Sequence, residues 1–136
     1  MLRDLVEEGR EVNLTIAGNS MAPFLIHGRD TICFRKPSRE IKVGDMVFYQ
    51  RKNGQFVMHR VWKVDKKGYY IVGDAQTEIE GPVEKGQIFA VVTKVKRQGK
   101  WIGPGNFWWE FFEHVWIRLV PFRRCIIQIY GKVKGM

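Results

Sequence analysis

The sequence predicts a mainly β domain, a small barrel or sandwich, with a short helix before it and an amphipathic aromatic helix after it. Apolar and polar residues alternate in short runs, as at Val12-Asn13-Leu14-Thr15-Ile16, the period of a half-buried strand. Turn residues punctuate these runs at close spacing with no long helical pattern between them, which argues against βαβ units. After Gly103-Pro104-Gly105-Asn106 the period becomes helical and the composition turns to large aromatics. This boundary divides the chain into a domain over 1–105 and an extension over 106–136.

The elements follow in order. Leu2, Leu5 and Val6 sit at helical spacing, and Gly9 is a helix stop. The Val12–Ile16 strand runs straight into Gly18-Asn19-Ser20, so Ser20 stands where the backbone changes direction. Pro23 allows no more than one helical turn after it. His27-Gly28-Arg29-Asp30 turns the chain, and Thr31 to Arg35 alternates again, with Ile32 and Phe34 on one face. Ile41 to Asp45 leads into an apolar strand, Met46 to Tyr49. Asn53-Gly54 is the strongest hairpin signal and joins that strand to the longest candidate, Gln55 to Val64. There Val57, His59 and Val61 share one face, and Phe56, Met58, Arg60 and Trp62 the other. Lys66-Lys67-Gly68 turns into Tyr69 to Val72. Ala75 to Gly86, broken by Gly81-Pro82, reads as a loop. Ile88 to Lys96 is a strand, followed by Trp101 and Ile102. In the extension, Phe107, Trp108, Phe111, Phe112, Val115, Trp116, Leu119 and Val120 mark one helical face. A second apolar patch runs from Cys125 to Tyr130.

A chain of 136 residues suits one core. Its formal charge of +9 favours an anionic partner without choosing among nucleic acid, membrane and acidic peptide. Cys33 and Cys125 make no disulfide framework and stand at no metal-ligand spacing with histidine, so buried thiols are expected, with no metal and no cofactor. Acidic residues occupy the N-terminus where a signal peptide needs an apolar run. No stretch reaches the roughly 18 apolar residues of a membrane span. The chain as written is expected in the cytoplasm or at the periphery of a membrane.

A hydroxyl nucleophile needs a base, because the free group is barely ionised at neutral pH. His59, mid-strand among valines, is costly there without a partner and is the best base candidate for Ser20. His27 lies in a turn, and His114 on the polar face of the last helix. A base is oriented by a carboxylate at its far nitrogen. Asp74 follows the strand that pairs with the His59 strand. It reads equally as that carboxylate or as a turn aspartate satisfying its own backbone.

Gly18-Asn19-Ser20-Met21-Ala22-Pro23 resembles the nucleophile box of the type I signal peptidases and their relatives. Gly28-Arg29-Asp30, Lys42-Val43-Gly44-Asp45-Met46-Val47-Phe48, Met58-His59-Arg60-Val61 and Gly73-Asp74 resemble the stretches that follow, in the same order across roughly residues 11 to 95. Most bacterial members, and the self-cleaving SOS-repressor relatives, carry lysine before the arginine. His59 resembles the endoplasmic-reticulum type instead. The resemblance implies Ser20 as nucleophile, His59 as general base and Asp74 as the orienting acid. Glu80, near a second family aspartate, is the lesser candidate. Asn19, Met21 and Pro23 flank the serine as candidates for oxyanion and substrate binding. Two departures stand out: Ala75-Gln76 follow Asp74 where asparagine is usual, and Gly18 stands where many members have a hydroxyl. The oxyanion hole would then rest on the Ser20 amide, helped by Asn19.

The implied activity is endoproteolysis of a leader or pro-peptide, with small side chains before the cleaved bond. An inactive relative that binds a peptide or partner is the main alternative. A self-cleaving regulator is disfavoured, because Ala17-Gly18 lies too close to Ser20. The aromatic and basic stretch 107–124 could pack as core, lie on an anionic membrane surface or meet a partner protein. Nucleic acid is disfavoured, since the basic residues are scattered and form no recognised motif.

Overall fold

The computed structural model describes residues 2–123. The expected patch from Cys125 to Tyr130 lies outside the described residues. The first helix, α1 (Leu2–Glu7), stops as Gly9 predicts: Gly9 has φ 89°, and the amides of Gly9 and Arg10 donate to the Val6 and Leu5 carbonyls. Eight strands follow: β1 (Val12–Thr15), β2 (Thr31–Arg35), β3 (Met46–Gln50), β4 (Phe56–Asp65), β5 (Gly68–Val72), β6 (Glu80–Val83), β7 (Ile88–Arg97) and β8 (Lys100–Ile102).

The strands form one antiparallel sheet in the order β1-β2-β7-β3-β4-β5-β6, with β8 on β7. β1 and β6 are its edges and do not pair, so the sheet is open where a closed barrel was one expectation. The Asn53-Gly54 hairpin joins β3 to β4 as expected, with Val47 opposite His59 and Met46 opposite Arg60. β6 falls inside the stretch expected as loop. Gly81-Pro82 reads as a break, but an edge strand tolerates a residue that cannot donate to the ladder.

Both faces of the sheet are packed. One carries Phe34, Met46, Phe48 and Val92, covered by Met21, Phe24 and Leu25 from the β1–β2 connection. The other carries Val47, Tyr49, Val61, Ile71, Val83 and Val91. Period 2 sends neighbours on β4 to opposite faces, so His59 and Arg60 serve different sides. The side chain of Cys33 is buried and its thiol donates to Glu11 at 2.6 Å.

A helical segment spans 107–122. It opens as α2 (Phe107–Glu110), capped by the Asn106 side chain, which accepts from the Trp108 and Trp109 amides. It widens to a π-turn over Phe111–Val115 and tightens to a 3₁₀ helix over Trp116–Phe122. The changing pitch moves the buried face away from the expected stripe. Trp109, Phe112, Ile117 and Val120 are buried, while Phe107, Trp108 and Val115 are exposed. Burying Trp109 and Phe112 contributes roughly 1.5–3 kcal/mol each. Among the described residues no helix is long and apolar enough to cross a membrane.

Candidate active site

The loop from β1 to β2 presents Ser20. Its base is closed by the Ile16 amide donating to Asp30 O and the Gly28 amide donating to Ile16 O, at 2.8 and 2.9 Å. The buried Asp30 carboxylate accepts from the Ile26 amide, the Arg29 guanidinium and the Gln98 amide. Gly18 adopts φ 88°, a conformation other residues resist, and its amide donates to His27 Nδ1 at 2.8 Å. Met21, Phe24 and Leu25 anchor the loop in the core and leave Ser20 half-buried.

Ser20 is also held from the other end of the sheet. Its carbonyl accepts the Ala75 amide at 2.8 Å. Gly73 makes room for this approach, since a Cβ there would lie 2.5 Å from Ser20 O. A glycine before Asp74 is therefore a packing requirement of the serine loop.

His59 projects from β4 among the apolar residues of its face and is 7% exposed. Burial depresses its pKa most. The Glu80 carboxylate works against that, the Arg51 guanidinium adds to it, and Asp74 opposes it more weakly. The ring is therefore held neutral, the form that can accept a proton.

Arg60, one residue on, faces the opposite side. Its guanidinium grips both Asp74 oxygens at 2.8 and 2.9 Å and donates to Gly44 O at 2.9 Å. It lies over the Phe24 ring, 5.5 Å from the centroid. Both members of the ion pair are buried.

Two cavities meet at His59. One, of about 360 Å³, is lined by Ser20, Met21, Leu14, Phe56, Met58 and His59 among others. The second, of about 400 Å³, lies between His59, Arg51, Ile71 and the stretch from Ala75 to Glu80. Arg51 borders both. Its fork binds Glu80 at 2.6 and 3.1 Å, and its remaining nitrogen donates to Gln55 at 2.8 Å. Burial opposes ionisation of Glu80, yet the Arg51 fork and the Tyr49 hydroxyl beside it outweigh burial, and the carboxyl stays below its ordinary range. Burial, reinforced by Glu80, pushes the Tyr49 phenol well above its ordinary range, so it remains protonated.

The sequence candidates are thus distributed as follows. Ser20 and His59 line one cavity, and among the described residues no hydrogen bond joins them. Asp74 is engaged by Arg60, not by the imidazole. Glu80 shares the second cavity with His59. Met21 is buried in the wall beside Ser20, whereas Asn19 and Pro23 are exposed on the loop. Arg51 was not singled out by the sequence, because a cation beside a hairpin turn looks like any solvated charge. Glu110, Glu113 and His114 bring potential ligand atoms within 4.8 Å of one another, but on the C-terminal helical segment and outside both cavities.

The open antiparallel sheet thus presents a loop serine and a buried histidine to one cavity. The chain matches the family model described as Peptidase S24-like over residues 2–95, and it belongs to that family. The match stops short of the C-terminal helical segment. No curated protein and no solved structure matches the chain.

Proposed function

We propose that this chain is a serine endopeptidase that cleaves a leader or pro-peptide, as the likeness of its boxes to signal peptidases implies. The observation that carries the reading is the cavity common to Ser20 and His59. His59 takes the Ser20 proton, Ser20 attacks a peptide carbonyl, and the acyl-enzyme is hydrolysed. The neutral state of His59 supports its role as base. Their hydrogen bond forms as substrate fills the cavity, since such bonds tighten in the Michaelis complex.

In this proposal Glu80, both of whose oxygens are held by Arg51, supports His59 through its charge across the shared cavity and not through a hydrogen bond. It faces the His59 cavity, and it is the foremost charge favouring the imidazolium. Asp74 has both oxygens committed to Arg60, so its role is to hold the loop beneath Ser20.

Labelling with a serine-directed phosphonate tests the reading. A single adduct on Ser20 is expected, absent from Ser20→Ala and strongly slowed in His59→Ala. An unlabelled wild-type protein, under conditions where a control hydrolase reacts, would favour the inactive peptide-binding relative.

We further propose that the enzyme works at an anionic membrane surface. Phe107 is 70% and Phe122 62% exposed, Trp108 is 47% exposed, and cations stand over neighbouring rings: Lys94 over Trp101 at 4.9 Å and Arg97 over Trp108 at 5.6 Å. Aromatic rings interleaved with cations suit an interface of apolar chains and anionic headgroups. Co-sedimentation with vesicles containing anionic lipid, and none with neutral vesicles, is expected.

A further inference from the structure

The turn from Gly73 to Gln76 is held on two sides by different parts of the chain. Toward Ser20 it offers one donor, the Ala75 amide. Toward the C-terminal segment it offers carbonyls. Trp116 Nε1 donates to Asp74 O at 2.7 Å. The Arg123 guanidinium donates to Gly73 O at 2.9 Å, to Gln76 O at 3.1 Å and to Trp116 O at 3.0 Å.

Arg123 is fully buried and stacks over Trp116, 4.9 Å from its centroid. Ile117 and Val120 of the same segment pack with Val72, the residue before the turn. A buried guanidinium is expensive unless its donors are used; both terminal nitrogens of this one are committed to carbonyls, while its Nε is buried without a partner.

We propose that Trp116 and Arg123 are positioning residues: they clamp the Gly73–Gln76 turn and, through its Ala75 amide, set the place of Ser20 against His59. Trp116 and Arg123 lie beyond the residues matched by the family model, while the turn they hold lies within them. The clamp also connects the exposed Phe107 and Trp108 to the serine, through Phe111, Phe112, Trp116 and the turn. The proposal deepens the peptidase reading and depends on it only for the labelling arm of its test.

The test uses the full chain as wild type, Trp116→Phe and Arg123→Lys. Trp116→Phe keeps a ring and removes one donor. Arg123→Lys keeps the charge and cannot span the carbonyls the fork reaches. Amide exchange is followed at Ala75, with β4 amides as the internal reference. Exchange at Ala75 rises at least tenfold in both variants while β4 protection and the urea midpoint change little. Phosphonate labelling of Ser20 slows by roughly tenfold to a hundredfold, the scale of a small misplacement of reacting groups. The pH inflection of labelling stays where His59 sets it, because the base is untouched. Ala75 exchange at the wild-type rate, or a rise shared equally by β4, overturns the clamp. A wild type that takes no label defeats the peptidase reading instead, and the exchange arm still decides the clamp.

Discussion

Arg60 and Asp74 form a two-pronged ion pair, with side chains 2% and 0% exposed, that ties the middle of β4 to the turn beneath Ser20. Its energetics are asymmetric. Removing one partner leaves the other charge buried, which costs roughly 3–5 kcal/mol. Asp74→Ala is therefore expected to lower the unfolding free energy by about that amount in urea titration, because Arg60 loses its counter-ion. Were Asp74 an orienter of His59 alone, the variant would keep its stability and lose only reactivity.

The base should be active on the acid side of an ordinary histidine. Burial lowers the His59 pKa, so the rising limb of Ser20 labelling against pH is expected below about 6.5. The sign for stability follows from the same shift. Below about 6.5 the unfolded chain binds a proton that folded His59 resists, so stability falls as pH drops through that window. NMR titration of the ring checks both. An inflection above 6.5 would contradict the burial argument.

Glu80 and Arg51 pull His59 in opposite directions. Glu80→Gln removes a favourable charge and is expected to lower the His59 pKa further; Arg51→Gln removes an unfavourable one and is expected to raise it. Both shifts are readable in the same titration. If the Glu80 charge stabilises the imidazolium, Glu80→Gln also slows labelling, by more than Arg51→Gln does.

Gly73→Ala probes the approach of Ser20. The new methyl would sit 2.5 Å from Ser20 O and 2.8 Å from Gln76 Oε1. The Gln76 side chain can swing away, but the serine backbone moves only by shifting the loop. A cost of roughly 1–3 kcal/mol is expected, together with a fall in Ser20 labelling steeper than the stability loss explains. Equal labelling would mean that the loop absorbs the methyl freely.

The exposed rings can be removed at little structural cost. Phe107→Ser and Phe122→Ser are expected to change stability by no more than about 0.5 kcal/mol. Co-sedimentation with anionic vesicles should fall severalfold. Unchanged co-sedimentation in the double variant would move the membrane contact elsewhere on the basic surface.

Much of this molecule is local in its causes, and that part the sequence determined. Alternation placed the strands other than β6, Asn53-Gly54 placed the hairpin, and Gly9 ended α1 with a left-handed residue. The same alternation put His59 with Val57 and Val61, and a strand running into Gly18-Asn19-Ser20 marked the serine. These are properties of neighbours along the chain, governed by backbone sterics and a period of two or 3.6 residues.

What depended on distant partners only the tertiary structure decided. The central β7 between β2 and β3, the open edges, and the pairing of β6 despite Pro82 follow from which strands meet, and no single segment encodes that. The C-terminal face drifted because the segment changes pitch, which leaves Trp109 and Ile117 buried in place of the expected stripe. The partner of Asp74 was likewise settled across the sheet. Arg60 lies on the face that receives the turn and His59 on the other, so one step of the pleat gives the carboxylate to the arginine and leaves Glu80, two strands away, to face the histidine.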